Sequence, residues 1–140
     1  MGPFANDLKG YHYLLTVRDH ASTYSMVYPL KSCTDTPEAI LDAIKQCQVR
    51  LQATPKELWM DDAREFTLAS FASSLAKLGV SFFPSLTYFP QENGEAKLLN
   101  RTLGDMAQSM MLESQIADQF WYFAYNLACF MPNTYQTCNA

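Results

Sequence analysis

The sequence predicts a mixed α/β layer fold in a single domain covering residues 1–140. Three observations predict this class. Two runs rich in aromatic and β-branched residues open the chain, a long segment with helical periodicity follows, and short apolar strands then alternate with helices. The resulting order is ββ, α, β, α, β, α, α. The length of 140 residues matches one ordinary domain, and no internal repeat or linker divides it.

The first two elements are predicted to be neighbouring antiparallel strands. Residues 11–18 read YHYLLTVR and residues 24–30 read YSMVYPL, and both runs favour β-structure. The polar segment DHAST separates them, as expected between the strands of a hairpin.

The third element is predicted to be an amphipathic helix over residues 34–52, TDTPEAILDAIKQCQVRLQ. We interpret Asp35, with Thr34 and Thr36, as its N-terminal cap, and Pro37 suits the first turn. Apolar residues recur at helical spacing, which predicts one buried face. These residues are Ile40, Ile44, Cys47 and Leu51.

A strand, a helix and a second strand are predicted next. Residues 56–60, KELWM, form a strand that ends at acidic residues, and alternation turns Trp59 away from Met60. We expect Trp59 to pack in the core, and a role in an interface is the next alternative. A helix over residues 66–78 ends at Gly79, and VSFF at 80–83 forms the last strand.

The remaining chain predicts a loop and two helices. Two prolines and an Asn-Gly pair indicate a loop over residues 84–94, followed by a helix over 95–113. Asp118 is expected to cap a final helix that ends near Pro132. Its stretch FWYFAYNLACFM, at 120–131, is about half the length of a membrane span. We therefore expect a buried or interface helix and no membrane insertion.

The final helix also predicts self-association. Its large apolar residues occupy more than one helical face, so one sheet cannot easily cover them all. We expect a homodimer. The residues are Trp121, Tyr122, Phe123, Tyr125, Leu127 and Phe130.

Composition excludes several classes of protein. A net charge of -4 and a pI near 5.0 do not suit a dedicated nucleic-acid binder, which usually carries a basic surplus, so DNA binding would be local, metal-bridged or weak. The four cysteines form no C-x-x-C pair and only two histidines, His12 and His20, are present, so neither a zinc site nor a hydrolase triad is indicated. The opening residues lack signal-peptide character, which predicts an intracellular protein in the cytoplasm or nucleus. Secretion after removal of a signal stays open.

Several motifs occur together in an order typical of one family. They are GPF at 2–4, VYPLKS at 27–32, MDDAREF at 60–66 and, most specific, YFPQENGEAKLLNRTL at 88–103. The last is similar to the pattern Pro-Gln-x-Asn-Gly-x-Ala-Glu-Arg-x-Asn-Arg-Thr. The chain thus resembles the catalytic core of copia-type retrotransposon integrases. This resemblance implies an RNase H-like fold, a central mixed sheet flanked by helices, in which two Asp and one Glu hold two divalent ions for DNA processing and strand transfer.

The resemblance also implies that the catalytic set is incomplete. Asp61 matches the second family Asp and is the one retained metal ligand. The first family Asp lies on an opening strand ahead of Gly2 and Pro3, and that strand is lacking or altered here. The family Glu falls on Lys97, whose ammonium cannot ligate a cation while protonated. Glu95 lies roughly 200° around the helix and cannot replace it.

Five other acidic residues could in principle replace the missing metal ligands. We expect the acid in the first hairpin, Asp19, and the acid after the third strand, Asp62, to act in turns or caps rather than as ligands. The full set of candidates is Asp7, Asp19, Asp62, Glu65 and Glu92.

One predicted helix carries candidate phosphate contacts. Lys97 and Arg101 are four residues apart, and Asn93 and Asn100 add hydrogen-bond donors. The alternative is a solvated basic edge. Two loop aromatics, Tyr88 and Phe89, either stack on bases or pack against the core.

The sequence is compatible with two alternative functions. The first is an integrase-core-derived domain without catalysis that acts through protein contacts, with no cofactor and an unidentified protein partner. The second is a nucleic-acid-binding integrase core with residual Mg²⁺- or Mn²⁺-dependent DNA processing or strand transfer through Asp61, Asp62 and a substitute acid.

Overall fold

The computed structural model describes residues 1–60, 69–84 and 90–138, with side chains described for 1–60, 69–83 and 94–134. The elements are mixed α and β, in the predicted order. The strands are β1 (Tyr13–Arg18), β2 (Ser25–Leu30), β3 (Glu57–Met60) and β4 (Ser81–Pro84). The helices are α1 (Thr36–Leu51), α2 (Ala69–Lys77), α3 (Pro90–Ser114) and α4 (Trp121–Cys138).

The described strands form two small sheets, one antiparallel and one parallel. β1 pairs with β2 antiparallel, as the hairpin prediction required, and β3 pairs with β4 parallel. Among the described strands, the two sheets share no strand. The single mixed sheet that the resemblance implied is therefore not seen among the described strands.

The chain divides into two compact units, and the expectation of one domain stays a prediction. The first unit comprises Met1–Ser32 and Ala96–Ala140, and the second comprises Cys33–Glu95.

The first unit buries one apolar cluster built from β1, β2, α3 and α4. Leu14 of β1 is 1% exposed, and Leu103 and Ala107 of α3 are buried equally well. Such burial of aliphatic side chains is the main stabilising term of a small core. The whole cluster consists of Leu14, Val27, Leu103, Ala107, Trp121, Ala124, Tyr125, Ala128 and Cys129.

The N-terminal residues are held against β1. The Met1 amino group donates to the Leu14 carbonyl, the Leu14 amide donates to the Met1 carbonyl, and the Phe4 amide donates to His12. Gly2, with a φ of +129°, lies so close that a Cβ there would sit 2.6 Å from the His12 carbonyl oxygen. Phe4 then stacks on Trp121, with ring centroids 4.4 Å apart.

The second unit contains α1, α2 and the β3–β4 sheet. The predicted face of α1 is confirmed at Ile40, Ile44 and Cys47, which are buried, whereas Leu51 is half-buried. Asp35 occupies the N-cap position, as expected, but makes no side-chain capping hydrogen bond. Instead the Thr36 hydroxyl donates to the Cys33 carbonyl, 2.7 Å away.

Two predicted boundaries are wrong. α3 begins at Pro90, so the end of the predicted loop, with Asn93 and Gly94, is helical. Proline is favoured at the first helical position, since its missing N–H needs no partner there, and it therefore indicated a helix start rather than a loop.

The end of α4 also differs from the prediction. The helix continues past Pro132 to Cys138. Proline has no N–H to donate to the carbonyl four positions earlier, yet the helix continues through it. The Asn133 side chain accepts a hydrogen bond from the Ser25 amide and donates one to the Ser25 carbonyl, and the Thr134 hydroxyl donates to the Phe130 carbonyl. Asp118 begins a short 3-10 turn ahead of α4, and its carbonyl accepts the Trp121 amide.

The prediction that Trp59 packs in the core is wrong. Its side chain is 50% exposed, although it does lie on the opposite face of β3 from Met60, as predicted. The face of the strand was predicted correctly, but the side chain there stays half-exposed.

None of the described helices combines the length and the apolar character needed to cross a membrane. This includes α4, the most apolar of them, because polar residues interrupt its sequence.

Candidate functional site

Within the first unit, helix α3 brings three candidate DNA-contacting residues to one side. Lys97 is three residues from Asn100 and four from Arg101, and at about 100° per residue the three span roughly a quarter of the helix circumference. The backbone of Asn93 lies in α3, but its side chain is outside the described residues.

Lys97 and Arg101 form the outer part of this side. Both side chains are exposed, and the Arg101 Nε lies 4.0 Å from the Asp105 Oδ2. The two partners of this pair are 82% and 74% exposed, so water screens their attraction, and such pairs contribute roughly 0.5 kcal/mol or less. Arg101 can therefore exchange Asp105 for another anion at small cost.

Asn100 lies at the inner border of the same side and has a structural partner. Its Oδ1 accepts a hydrogen bond of 2.6 Å from the Thr16 hydroxyl on β1. Asn100 is half-buried, next to a helix face that carries the core residues Leu103 and Ala107. This oxygen connects α3 to the hairpin.

Asp61, the metal ligand predicted from the sequence, lies outside the described residues. It directly follows β3, and Asp62 and Glu65 lie outside the described residues as well. Tyr88 and Phe89 are also outside them, so base stacking by these aromatics stays a prediction.

Lys97 itself does not fit a metal centre. An exposed ammonium offers no anionic oxygen to a hard divalent cation, and two Mg²⁺ ions close together need several converging carboxylates. Over the described ranges, which omit Asp61, no three His, Cys, Asp or Glu side chains converge as metal ligands would.

Two of the alternative acids are used in turns. The Asp7 Oδ1 accepts the backbone amides of Lys9 and Tyr11, at 2.7 and 2.9 Å. The Asp19 Oδ2 accepts both the amide and the hydroxyl of Ser22, which confirms the expected turn role. The side chain of Glu92 is outside the described part.

A shallow open groove lies further along α3. It is lined by Asp105, Met106, Ser109, Met110 and Glu113. Its two carboxylates would repel phosphate, so the groove does not extend the basic side of the helix towards a nucleic acid.

The buried thiol and phenols of α4 are poor nucleophiles. Burial raises the pKa of the Cys129 thiol to about 11, so the thiolate is scarce at neutral pH. Burial raises the pKa of Tyr122, with smaller contributions from Tyr11 and Cys129, and burial raises the pKa of Tyr125. Tyr125 and Cys129 belong to the core cluster, and Tyr122 packs against it.

Two polar residues that position α3 and α4 were not found from the sequence. Thr16 bonds to Asn100, and the Asn133 side chain bonds to both the amide and the carbonyl of Ser25, at 3.0 and 2.7 Å. Each pair is far apart in sequence. In each case the sequence shows only a polar residue on an otherwise apolar face. Such a residue does not identify the distant residue to which it forms a hydrogen bond.

Comparison with known proteins supports a transposon origin. Over 130 residues the chain is 23% identical to the Retrovirus-related Pol polyprotein from transposon RE2 of Arabidopsis thaliana, covering 93% of this chain and 9% of that protein. The chain is similar to part of retrotransposon Pol polyproteins. It is also 27% identical over 128 residues to the polyprotein of transposon TNT 1-94 of Nicotiana tabacum, covering 89% of this chain and 9% of that protein.

The similarity extends to a yeast element. The Transposon Ty1-DR4 Gag-Pol polyprotein of Saccharomyces cerevisiae is 27% identical over 127 residues, covering 87% of this chain and 8% of that protein. The chain thus spans about a tenth of the length of the curated relatives it matches. No protein-family model matches the chain.

Proposed function

We propose that this chain is an RNase H-like integrase core from a copia-type retrotransposon that has lost catalysis and acts through protein contacts. The similarity to Pol polyproteins of three organisms supports the transposon origin. The motifs at residues 60–66 and 88–103 support the integrase core in particular. An intracellular location, in the cytoplasm or nucleus, is part of the proposal.

The exposed Lys97 on α3 is the observation that carries the loss of catalysis. It stands where the motif requires a carboxylate, and replacing an anion by a cation changes the local charge by two units. No rotation of this side chain can supply an oxygen ligand. A metal pair that depends on position 97 therefore loses one anchor and gains a repulsive charge.

Calorimetric titration with Mn²⁺ tests this proposal. The protein is expected to take up no Mn²⁺, and Asp61→Ala is expected to leave the titration unchanged. Saturable binding that disappears in Asp61→Ala would contradict the proposal and favour the catalytic alternative. Lys97→Gln is the matched control, because it removes the charge without adding a carboxylate, whereas Lys97→Glu adds one of the two missing ligands.

The alternative is a nucleic-acid-binding integrase core with residual metal-dependent DNA processing. Exposed Lys97 and Arg101 on one side of α3 favour it, whereas the net charge of -4 opposes it. Labelled duplex DNA at low salt is the test. Binding through this helix should weaken with salt, and Lys97→Gln and Arg101→Gln should each lower the salt slope by about 1. Lys45→Gln on α1 is the control, because Lys45 is equally exposed but lies on another helix.

A row of exposed side chains on α4 supports the proposed protein contacts. Phe123, Leu127 and Phe130 are 56%, 51% and 63% exposed and fall within one narrow helical stripe. Trp121 and Tyr125 on the same helix are buried, which agrees with the prediction that apolar residues occupy more than one face. An apolar row of this kind favours a second copy of the chain.

Light scattering over a concentration series tests the homodimer. We expect the mass of a dimer, and Leu127→Glu should reduce it to that of a monomer. Leu112→Glu is the control, because Leu112 is 79% exposed on α3 and away from the stripe. A strict monomer at high concentration would contradict this part of the proposal.

A further inference from the structure

The β3–β4 sheet carries an exposed aromatic pair. Trp59 of β3 lies directly opposite Phe83 of β4 in the parallel register. Their ring centroids are 4.8 Å apart and the rings are inclined by 17°, so they are stacked. The two side chains are 50% and 38% exposed. Both residues belong to the second unit, and the stacked pair presents apolar ring edges and outer ring faces to solvent.

The other side of this sheet is packed. Phe82 of β4 meets Phe71 of α2 edge to face, with centroids 6.3 Å apart, and Phe71 is buried. Leu58 and Met60 alternate to the same side and are half-buried. Parallel strands are ordinarily covered on both faces. On the Trp59 side of this pair both aromatic rings keep a large exposed fraction, which is unusual for parallel strands.

A carboxylate is fixed at the edge of the aromatic pair. The Trp59 Nε1 donates a hydrogen bond of 3.2 Å to the Glu57 Oε2. Glu57 and Trp59 are two residues apart on β3, so they share one face of the strand, whereas Lys56 alternates to the other. The second carboxylate oxygen of Glu57 remains a further acceptor. The surface thus combines an indole face, a phenyl face and an adjacent negative charge.

This combination selects for a guanidinium group. Guanidinium is flat, stacks on indole faces, and donates paired hydrogen bonds to a carboxylate. A nucleic acid would also find aromatic faces here, but its phosphates would meet the Glu57 charge and a chain of net charge -4. A purely apolar partner would leave that carboxylate desolvated.

We propose that the surface formed by Glu57, Trp59 and Phe83 binds an arginine side chain presented by a partner protein. The guanidinium packs on the indole face of Trp59 that Phe83 does not cover and donates to the second carboxylate oxygen of Glu57, while the aliphatic part of the arginine passes over the ring edges of the pair. This inference rests on the interaction role proposed above and names the chemistry of the partner. It requires neither the loss of metal binding nor the α4 stripe.

The experiment uses a fluorescein-labelled peptide of alternating arginine and glycine, with blocked ends, titrated with the whole chain at low salt. A peptide with citrulline in place of arginine is the control, because citrulline keeps the shape and loses the charge. The variants are Trp59→Ala, Phe83→Ala and Glu57→Gln. Val49→Ala is the matched control, since Val49 is 77% exposed on α1 in the same unit. Circular dichroism establishes that each variant is folded.

The proposal expects the arginine peptide to bind and the citrulline peptide not to bind. Trp59→Ala and Glu57→Gln should each weaken binding by about fivefold or more, as the loss of a cation–π contact or of a charge-assisted hydrogen bond does. Val49→Ala should have no effect. Because Glu57→Gln keeps the size of the side chain, its effect does not depend on a folding defect.

Other results would overturn the proposal. Equal affinity across the variants would mean that the peptide binds elsewhere. Loss in Trp59→Ala with no change in Glu57→Gln would indicate an apolar partner, and preferential binding of oligothymidylate at this face would indicate a nucleic acid. Mn²⁺ uptake in the separate titration would contradict the proposed loss of catalysis while leaving the arginine result unaffected.

Discussion

The Thr16 hydroxyl on β1 donates a 2.6 Å hydrogen bond to the Asn100 Oδ1 on α3. Both residues are half-buried, so this bond is partly shielded from water and fixes the position of α3 on the hairpin. The residue that the motif suggested as a phosphate contact thus also has a structural partner within its own unit.

Thr16→Val should destabilise the protein. The substitution keeps the shape and leaves the Asn100 Oδ1 without its partner, which costs about 1–2 kcal/mol of unfolding free energy. Urea denaturation followed by circular dichroism measures it. Thr102→Val on α3 is the control, since Thr102 is exposed. Equal stability of the two variants would show that the bond contributes nothing.

Asn133 should stabilise the contact between α4 and β2. Asn133→Ala removes both hydrogen bonds to the Ser25 backbone and leaves a partly buried amide and carbonyl unpaired, costing about 1–3 kcal/mol. Asn133→Asp should also destabilise, because a carboxylate would face the Ser25 carbonyl oxygen. Amide hydrogen exchange at Ser25 should become faster in both variants. Asn126→Ala, at an exposed position of the same helix, should leave it unchanged.

Truncating Leu103 to alanine should lower the free energy of unfolding more than truncating most other residues. It is 1% exposed within the cluster shared by α3, α4 and the hairpin, and Leu→Ala at such a site costs about 2–5 kcal/mol. Leu98 is a matched control on the same helix, since it is 62% exposed. Thermal and urea denaturation should separate the two variants clearly. A small effect of Leu103→Ala would mean that the cluster is loosely packed.

Alkaline pH should weaken the fold through Cys129. Its pKa rises from 9.0 to about 11 on burial, so the folded state holds the proton more tightly than the unfolded state. This contribution is fully present below pH 9 and is lost as the pH rises towards 11. Urea denaturation across this range should show falling stability, and Cys129→Ala should make the fall shallower. An unchanged slope in Cys129→Ala would assign the effect to Tyr122 and Tyr125, whose pKa values also rise on burial.

The sequence alone was enough to predict the mixed α/β class, the order of the elements, the hairpin and the buried face of α1. These features depend on local periodicity and on hydrophobic residues a few positions apart. The same local information predicted that Asp19 forms a turn and that Trp59 and Met60 occupy opposite faces of β3. A motif in the sequence also singled out Lys97 as the residue at the family Glu position. The metal-binding role of Asp61 stays a prediction, because Asp61 lies outside the described residues.

Tertiary structure decided which predicted faces are covered and where helices end. Trp59 was expected in the core because it is apolar, but burial depends on what packs against a face, and nothing in the strand encodes that. Pro132 was expected to end α4, but the helix continues where Asn133 reaches Ser25, 108 residues away in sequence. Asn100 acquired its partner Thr16 across 84 residues in the same way. Local sequence sets the preference of each segment, whereas contacts between distant residues supply the free energy that overrides it.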